Sequence, residues 1–170
     1  AQKRIVIELP PKFSGIWGQY RNKVYYGGRG SSKSHSVARH LLAKSIKMKR
    51  RILCAREFQN SIQDSVYRLL TDLITGEGLS EFFEVQKASI QSITGSQFIF
   101  AGLHHNIQSV KSLEAVDDCW VEEAEHVSEN SWEILIPTMR NPGSEFYITF
   151  NPQNETDPTY KRFVLNPPPN

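Results

Sequence analysis

A short segment in the first part of the chain has the residue types of a phosphate-binding loop. Residues 25–34 read YYGGRGSSKS, and the phosphate-loop pattern is G-x-x-x-x-G-K-[ST]. Gly27, Lys33 and Ser34 match this pattern, whereas Ser32 stands where the second glycine belongs. Glycines let several backbone N–H groups surround a phosphate, and a helix that begins at the loop adds its positive dipole end.

This pattern predicts that Lys33 binds the β- and γ-phosphates and that the Ser34 hydroxyl binds Mg²⁺. The predicted nucleotide contacts are Gly28, Arg29, Gly30, Ser31, Ser32, Lys33 and Ser34. If position 32 needs a positive φ, a serine there costs on the order of 1–2 kcal/mol. The alternative interpretation is a glycine turn between a strand and a helix. The three glycines ahead of the lysine favour the phosphate loop.

Acidic residues follow an apolar run much later in the chain. Cys119, Trp120 and Val121 directly precede Glu122 and Glu123. A buried strand that ends in two acids would let the first accept Mg²⁺-bound waters and the second polarise the attacking water as a general base. A solvated acidic loop is the alternative, because further acids surround the pair: Glu114, Asp117, Asp118, Glu125 and Glu129.

The surrounding pattern predicts the elements that position these residues. Apolar spacing predicts helices over 33–48, 61–73 and 129–140, and strands over 23–26, 51–55, 116–121 and 146–150. Strands separated by helices favour a mostly parallel sheet, and therefore an α/β fold. Residues 82–102 form short apolar runs around Thr94-Gly95-Ser96, which predicts an antiparallel hairpin or meander on one edge.

Composition limits the class of protein. A chain of 170 residues with 39% hydrophobic and 22% charged residues is typical of one soluble globular domain and excludes collagen-like and disordered classes. No run approaches the roughly 20 apolar residues of a membrane-spanning helix. The charge is uneven: the chain through Arg56 carries +13 and the remainder −11. This asymmetry favours a polyanionic partner, unless the two parts neutralise each other in the fold.

Four segments in this order resemble the N-terminal ATPase domain of the large terminase subunit of tailed bacteriophages. They are Gly27–Ser34, 120–125, 136–140 and 150–152. The resemblance implies a P-loop NTPase of the ASCE/RecA-like type that uses ATP and Mg²⁺ to thread double-stranded DNA into a preformed capsid. In that family the loop usually reads GGRGSGK[ST], and the acidic motif often begins with aspartate. This chain departs from both at Ser32 and Glu122.

The resemblance also implies roles for single residues. Arg29 matches an arginine that stabilises the γ-phosphate charge in cis; its alternative is an exposed arginine that counters Glu122 or Glu123. Asn151 matches the coupling motif that senses the γ-phosphate, with a cap before Pro152 as its alternative. Arg140 could act as a finger in trans on a neighbouring subunit, or satisfy the dipole of its own helix.

Further residues are candidate contacts to adenine or to DNA. Trp17, Tyr20 and Arg21 precede the first strand, where an adenine could stack, although aromatic residues there more often belong to a core. Arg56, Gln59 and Ser61 follow the second strand and could touch a base or DNA. The basic residues over 44–51 could bind the DNA backbone or simply form a solvated helix end.

The resemblance finally implies an organisation and a set of partners. Residues 1–165 are expected to form the ATPase domain, and 166–170 the start of a proline-rich linker to a C-terminal nuclease domain absent from this chain. The implied partners are double-stranded DNA, the terminase small subunit and the portal of the procapsid. The implied state is a homo-oligomeric ring during packaging, and a monomer in isolation, in the host cytoplasm and without a membrane. A helicase-like or other P-loop NTPase and a nucleotide-sensing assembly module remain the alternatives.

Overall fold

The sheet and its helices follow the chain in the alternation that the sequence predicts. A computed structural model describes residues 4–58 and 63–169. The strands are β1 (Asn22–Tyr26), β2 (Arg51–Arg56), β3 (Phe83–Val85), β4 (Ser89–Ser92), β5 (Gln97–Gly102), β6 (Asp118–Val121) and β7 (Glu145–Phe150). The helices are α1 (Lys33–Lys47), α2 (Arg68–Gly76), α3 (Leu103–Lys111), α4 (Glu129–Thr138) and α5 (Pro158–Tyr160). One π-helical turn (Gln63–Tyr67) leads into α2, and another (Lys161–Leu165) follows α5.

The seven strands form one sheet in the order β1-β7-β6-β2-β5-β4-β3. The first five are parallel, whereas β4 pairs antiparallel with β5, and β3 pairs antiparallel with β4 at the outer edge. This arrangement confirms the predicted α/β fold and the predicted antiparallel insertion on one edge. Because β1, β2, β6 and β7 run the same way, they all end at one side of the sheet, the carboxyl edge, and all begin at the other, the amino edge.

Each face of the sheet packs on its own set of helices. The β6 strand shows how: the side chains of Trp120 and Val121 point to opposite faces and both are fully buried. Trp120 packs with residues of α1 and α2, and Val121 packs with residues of α3 and α4. The Trp120 indole also donates to Thr149 Oγ1 of β7 at 3.0 Å, which satisfies its buried N–H. Side chains on both faces therefore hold β6 in the middle of the molecule.

Several predictions about the elements need correction. The sequence interpretation contained no helix over 103–111 or 158–160, where α3 and α5 lie. The predicted helix over 61–73 begins outside the described residues and continues further, to Gly76. The hypothesis that Gln59 and Ser61 touch a base or DNA also concerns residues outside the described ranges. Other element ends shift by two residues or fewer.

Part of the uneven charge is neutralised within the fold. Ion pairs join Lys23, Lys44 and Arg50 from the basic part to Asp118 and Glu145 from the acidic part. All five residues lie at the amino edge, and all but Arg50 are buried. Two of the five basic residues over 44–51, Lys44 and Arg50, are therefore paired with acids of the other part of the chain. No helix within the described ranges is long and apolar enough to cross a membrane.

Candidate nucleotide-binding site

The predicted phosphate loop joins the carboxyl end of β1 to the first residue of α1. Its backbone takes the left-handed region at two positions, with φ of +77° at Gly30 and +59° at Ser32. Glycine adopts this region freely, but a serine there costs about 1–2 kcal/mol. The Ser32 carbonyl accepts the first hydrogen bond of α1, from Ser36 N–H at 2.9 Å. Position 32 thus has the positive φ under which a serine is strained.

Lys33 folds back over the loop that precedes it. Its ammonium lies 3.0 Å from Gly27 O, 3.1 Å from Gly28 O and 2.7 Å from Ser31 Oγ. It also lies 2.8 Å from Asn151 Oδ1, at the end of β7. Burial, then the nearby charge of Lys12, lowers the pKa of Lys33. All four acceptors are neutral, so phosphate oxygens can replace them without breaking an ion pair.

The Ser31 carbonyl is fixed by two donors. Ser32 Oγ donates to it at 2.7 Å, and the Lys12 ammonium donates to it from a helical turn before β1. This turn is anchored by the buried ring of Phe13, which packs against Tyr25 with a centroid separation of 4.8 Å. The segment before β1 is thus in direct contact with the loop, a contact that the sequence interpretation did not include.

Ser34 and Glu122 meet as the motif predicts. Ser34 Oγ donates to Glu122 Oε1 at 2.9 Å, which joins the start of α1 to the end of β6. A hydroxyl and a carboxylate side by side are oxygen ligands of the kind Mg²⁺ binds, usually with waters and substrate phosphates completing its shell. The described residues hold no group of three His, Cys, Asp or Glu that could bind a metal by themselves. The pair fits Mg²⁺ held jointly with a nucleotide.

An arginine from β2 lies between the two acids. Arg56, 7% exposed, donates to Glu122 Oε2 and lies 3.4 Å from Glu123 Oε2. Burial raises the pKa of Glu122, and the charge of Arg56 offsets only part of that rise. Glu123 is a non-glycine residue with φ of +50°, and backbone strain of this kind clusters at functional sites. Arg56 rather than Arg29 counters these acids, and Arg29 is exposed at the cleft wall.

Asn151 and Glu125 extend the site along β7. Asn151 binds Lys33 through its side chain, and its backbone N–H donates to Glu125 Oε2 at 3.4 Å. Burial raises the pKa of Glu125. The sequence interpretation named Asn151 but treated Glu125 as part of an acidic surrounding. Its position two residues after Glu123 is the signal that places it at the same edge.

These groups line one open cleft of about 500 Å³ at the carboxyl edge. Its walls are Arg29–His35 from the loop and α1, three acids (Glu122, Glu123 and Glu125), and Thr149, Phe150 and Asn151 at and just after the end of β7. The structure thus brings together nearly all the residues predicted to bind phosphate and metal. Gly28 contributes through its carbonyl to Lys33 rather than as part of the wall.

The residues predicted to contact adenine lie elsewhere. Trp17, Tyr20 and Arg21 line a separate cleft at the amino edge, which shares no residue with the loop cleft. The physical reason is the direction of β1. These three residues precede the strand and so lie at its amino end, whereas the loop follows the strand at its carboxyl end. The aromatic side chain nearest the loop in sequence is the exposed Tyr26, which stacks on Phe150 at 5.5 Å. The structure therefore does not support the predicted adenine contacts.

Arg140 is also distant from the cleft within this chain. It follows α4, which leads back from the carboxyl edge to the amino edge. The next residue, Asn141, donates to Asp117 Oδ1 at the start of β6, at 3.2 Å. Arg140 is exposed. It can therefore reach a nucleotide only on another molecule.

The fold and the loop together define a P-loop NTPase. A family model described as phage terminase large subunit matches residues 19–168, so the chain belongs to that family. It is 29% identical over 165 residues to the PBSX phage terminase large subunit of Bacillus subtilis (strain 168), covering 94% of this chain and 38% of that protein. It is 26% identical over 168 residues to the terminase large subunit of Bacillus phage SPP1, covering 88% and 40%.

Solved structures agree on the fold. The large terminase from a thermophilic bacteriophage superposes with a TM-score of 0.71 at 10% identity, covering 85% of this chain and 37% of that chain. The N-terminal domain of the DNA packaging ATPase from bacteriophage phi29 gives 0.66 at 16% identity, covering 95% and 87%. The chain thus spans about two fifths of the curated relatives it matches and most of one solved N-terminal domain.

Proposed function

We propose that this chain is the ATPase unit of a DNA-packaging motor: it hydrolyses ATP with Mg²⁺ and so powers movement of double-stranded viral DNA into a procapsid. The observation that carries the proposal is the contact between Ser34 and Glu122, because it joins the phosphate loop to the acidic strand in one cleft. The family membership supports it, as do structures of the same thermophilic-phage large terminase in complex with ATP-gamma-S and with ADP.

The cleft assigns a separate task to each side chain. Lys33 exchanges its loop carbonyls for β- and γ-phosphate oxygens, and the backbone N–H groups of the loop bind the same phosphates. Ser34 and Glu122 would hold Mg²⁺, which neutralises phosphate charge when bound. Glu123 accepts the proton of the attacking water, because it borders the cleft and is nearly half exposed.

Two further residues have proposed roles at the γ-phosphate: Asn151 senses its presence and Arg29 stabilises its charge. The Lys33 ammonium donates to Asn151 Oδ1 as well as to oxygens of the loop. If the ammonium moves onto a phosphate, the hydrogen bonding of Asn151 at the end of β7 changes. Arg29 lines the cleft and would stabilise charge on the γ-phosphate in cis. Arg140 would act only in trans. A turnover per molecule that does not change with protein concentration favours Arg29, and a steep rise with concentration favours Arg140.

The proposal extends to the whole protein. Residues 1–165 form the ATPase domain, and 166–170 begin a linker to a nuclease domain. The partners are double-stranded DNA, the terminase small subunit and the portal of the procapsid, on which a ring of subunits docks in the host cytoplasm. The isolated domain is a monomer, because the portal no longer holds subunits at high effective concentration.

Two substitutions test the assignment of roles. Lys33→Ala should abolish ATP binding, because it removes the cation that holds the phosphates. Glu123→Gln should keep binding but lower hydrolysis by about 10²–10⁴-fold, the usual contribution of a general base. Nucleotide titration and phosphate release on both variants provide the measurements. Full turnover by the Glu123→Gln variant would exclude that residue as the base.

A further inference from the structure

Ser32 is the residue at which this loop departs from the phosphate-loop pattern, and it retains the backbone conformation that the missing glycine would adopt. Its φ of +59° and ψ of 18° lie in the left-handed region. A serine leaves this region more readily than a glycine does, because the left-handed conformation is strained for it. Something in this chain must therefore hold the loop in place.

Two donors that could hold the loop in place bind the same atom. Ser32 Oγ and the Lys12 ammonium each donate to the Ser31 carbonyl oxygen. This carbonyl belongs to the peptide that carries the Ser32 N–H. In a trans peptide the C=O and N–H bonds point in opposite directions. Lys12 does not line the nucleotide cleft, whereas Ser31 and Ser32 do. If the Lys12 ammonium holds the carbonyl away from the cleft, the N–H of the same peptide points toward the cleft.

Lys12 is itself well placed for this task. It lies in the helical turn Pro11–Phe13, which Phe13 anchors through its buried ring. Pro11 at the start of the turn restricts the backbone further. The lysine side chain is exposed, but its base is fixed relative to β1 and hence to the loop.

We infer that Lys12 is a positioning residue of the nucleotide site: it holds the Ser31–Ser32 peptide with its N–H toward the phosphates and so compensates for serine at position 32. The inference rests on the proposed function, because it concerns how the same loop binds a nucleotide. It predicts that the importance of Lys12 depends on which residue occupies position 32.

A double-mutant cycle tests this dependence. The probe is a fluorescent ADP analogue, titrated against the parent, Lys12→Ala, Ser32→Gly and the double variant. In the serine background, Lys12→Ala should weaken binding about tenfold, equivalent to about 1.4 kcal/mol. In the Ser32→Gly background the loss should be about twofold or less, because glycine keeps the left-handed conformation without help. Lys12→Arg should retain most of the affinity, and Lys87→Ala, in an exposed loop, is the control.

A second measurement does not depend on nucleotide. The ¹³Cα and ¹³Cβ chemical shifts of Ser32 report its backbone conformation in the unliganded protein. They should move away from left-handed values in Lys12→Ala and stay unchanged in Lys87→Ala. If the parent binds no nucleotide, the proposed function fails, while these shifts still decide the role of Lys12.

Two results would overturn the inference. An equal loss of affinity in both backgrounds would mean that Lys12 binds phosphate directly rather than through the peptide. Unchanged Ser32 shifts in Lys12→Ala would mean that the loop holds its conformation without the lysine.

Discussion

The two edges of the parallel sheet use charged residues in opposite ways. At the amino edge, Lys44 lies 2.7 Å from Asp118 and 3.2 Å from Glu145, and Arg50 lies 2.7 Å from Asp118. At the carboxyl edge, Lys33 binds four neutral oxygens. The same helix, α1, carries both lysines. One end of the helix is held by ion pairs, and the other is left with partners that a ligand can replace.

The carboxyl groups at the two edges also differ in the direction in which their pKa is shifted. Burial alone would raise the pKa of Glu145, but hydrogen bonds and charge from Lys23, Lys44 and Tyr147 outweigh it and the pKa is lowered. At the carboxyl edge burial prevails, and the pKa of Glu122 is raised despite Arg56. Charge is therefore compensated at the amino edge, where it stabilises the fold, and left partly uncompensated at the carboxyl edge, where we propose that Mg²⁺ and a nucleotide bind.

The largest effect is expected from a substitution that removes the ion pairs of the amino edge. Asp118→Ala removes a fully buried carboxylate and leaves Lys44 and Arg50 without it, which should cost about 3–5 kcal/mol of unfolding free energy. Urea unfolding measures the loss. Glu129→Ala is the matched control, because its pair with Arg162 is more exposed and should contribute no more than about 1 kcal/mol. Equal losses in the two variants would remove the distinction between buried and surface pairs.

An effect that is smaller for each pH unit concerns the pH dependence of stability. Burial, then Lys44 and Lys23, lowers the pKa of His40 to about 3 from 6.5, and its Nε2 lies 3.0 Å from Tyr147 Oη. Because the unfolded chain binds this proton first, stability should fall as the pH drops from 6.5 towards 3, by about 1.4 kcal/mol per unit. His40→Gln should remove this slope in denaturant titrations at several pH values.

His35 on the same helix is exposed and serves as the control for His40. The His35→Gln variant should keep the slope of the parent. If the His40→Gln variant also keeps this slope, the acid sensitivity of the protein originates in other groups, and His40 is not the residue that resists protonation in the folded protein.

The smallest effect on stability is expected at the carboxyl edge. Glu122→Gln removes a charge that burial disfavours, but its single amide oxygen can accept from only one of the two donors, Ser34 or Arg56. The unfolding free energy should therefore fall by about 1–3 kcal/mol, the cost of one unsatisfied buried donor, which is less than in Asp118→Ala. Turnover should nevertheless be lost, because the proposed Mg²⁺ site loses its carboxylate. A destabilisation as large as that of Asp118→Ala would show that the two edges contribute alike.

Sequence patterns predicted the strands and the site motifs because both are local. The loop glycines, Lys33 and Ser34 lie within one segment, and the apolar run before Glu122 specifies its strand. The α3 helix was missed although Leu103, Ile107 and Val110 have helical spacing and are buried. Its polar stretch His104-His105-Asn106 obscured the pattern, and Asn106 itself has non-helical angles, with φ of −116°.

Contacts between distant segments could not be predicted in this way. Arg56 gives no local sign that it faces Glu122 and Glu123; only the parallel pairing of β2 with β6 brings them together. The contact of Lys12 with Ser31 likewise depends on how the turn before β1 packs. The adenine hypothesis for Trp17 failed because proximity in sequence to β1 did not say at which end of the strand it lies.

The α1 helix, anchored at its far end, also limits which parts of the molecule can move. Its 15 residues make a rod of about 22 Å that cannot be compressed or bent easily, and Lys44 ties its last turn to β6 and β7. Adjustment to an incoming nucleotide therefore falls on residues 27–32 and on side chains. A displacement of the loop would therefore pass through α1 to β6 and β7 with little change in the length of the helix.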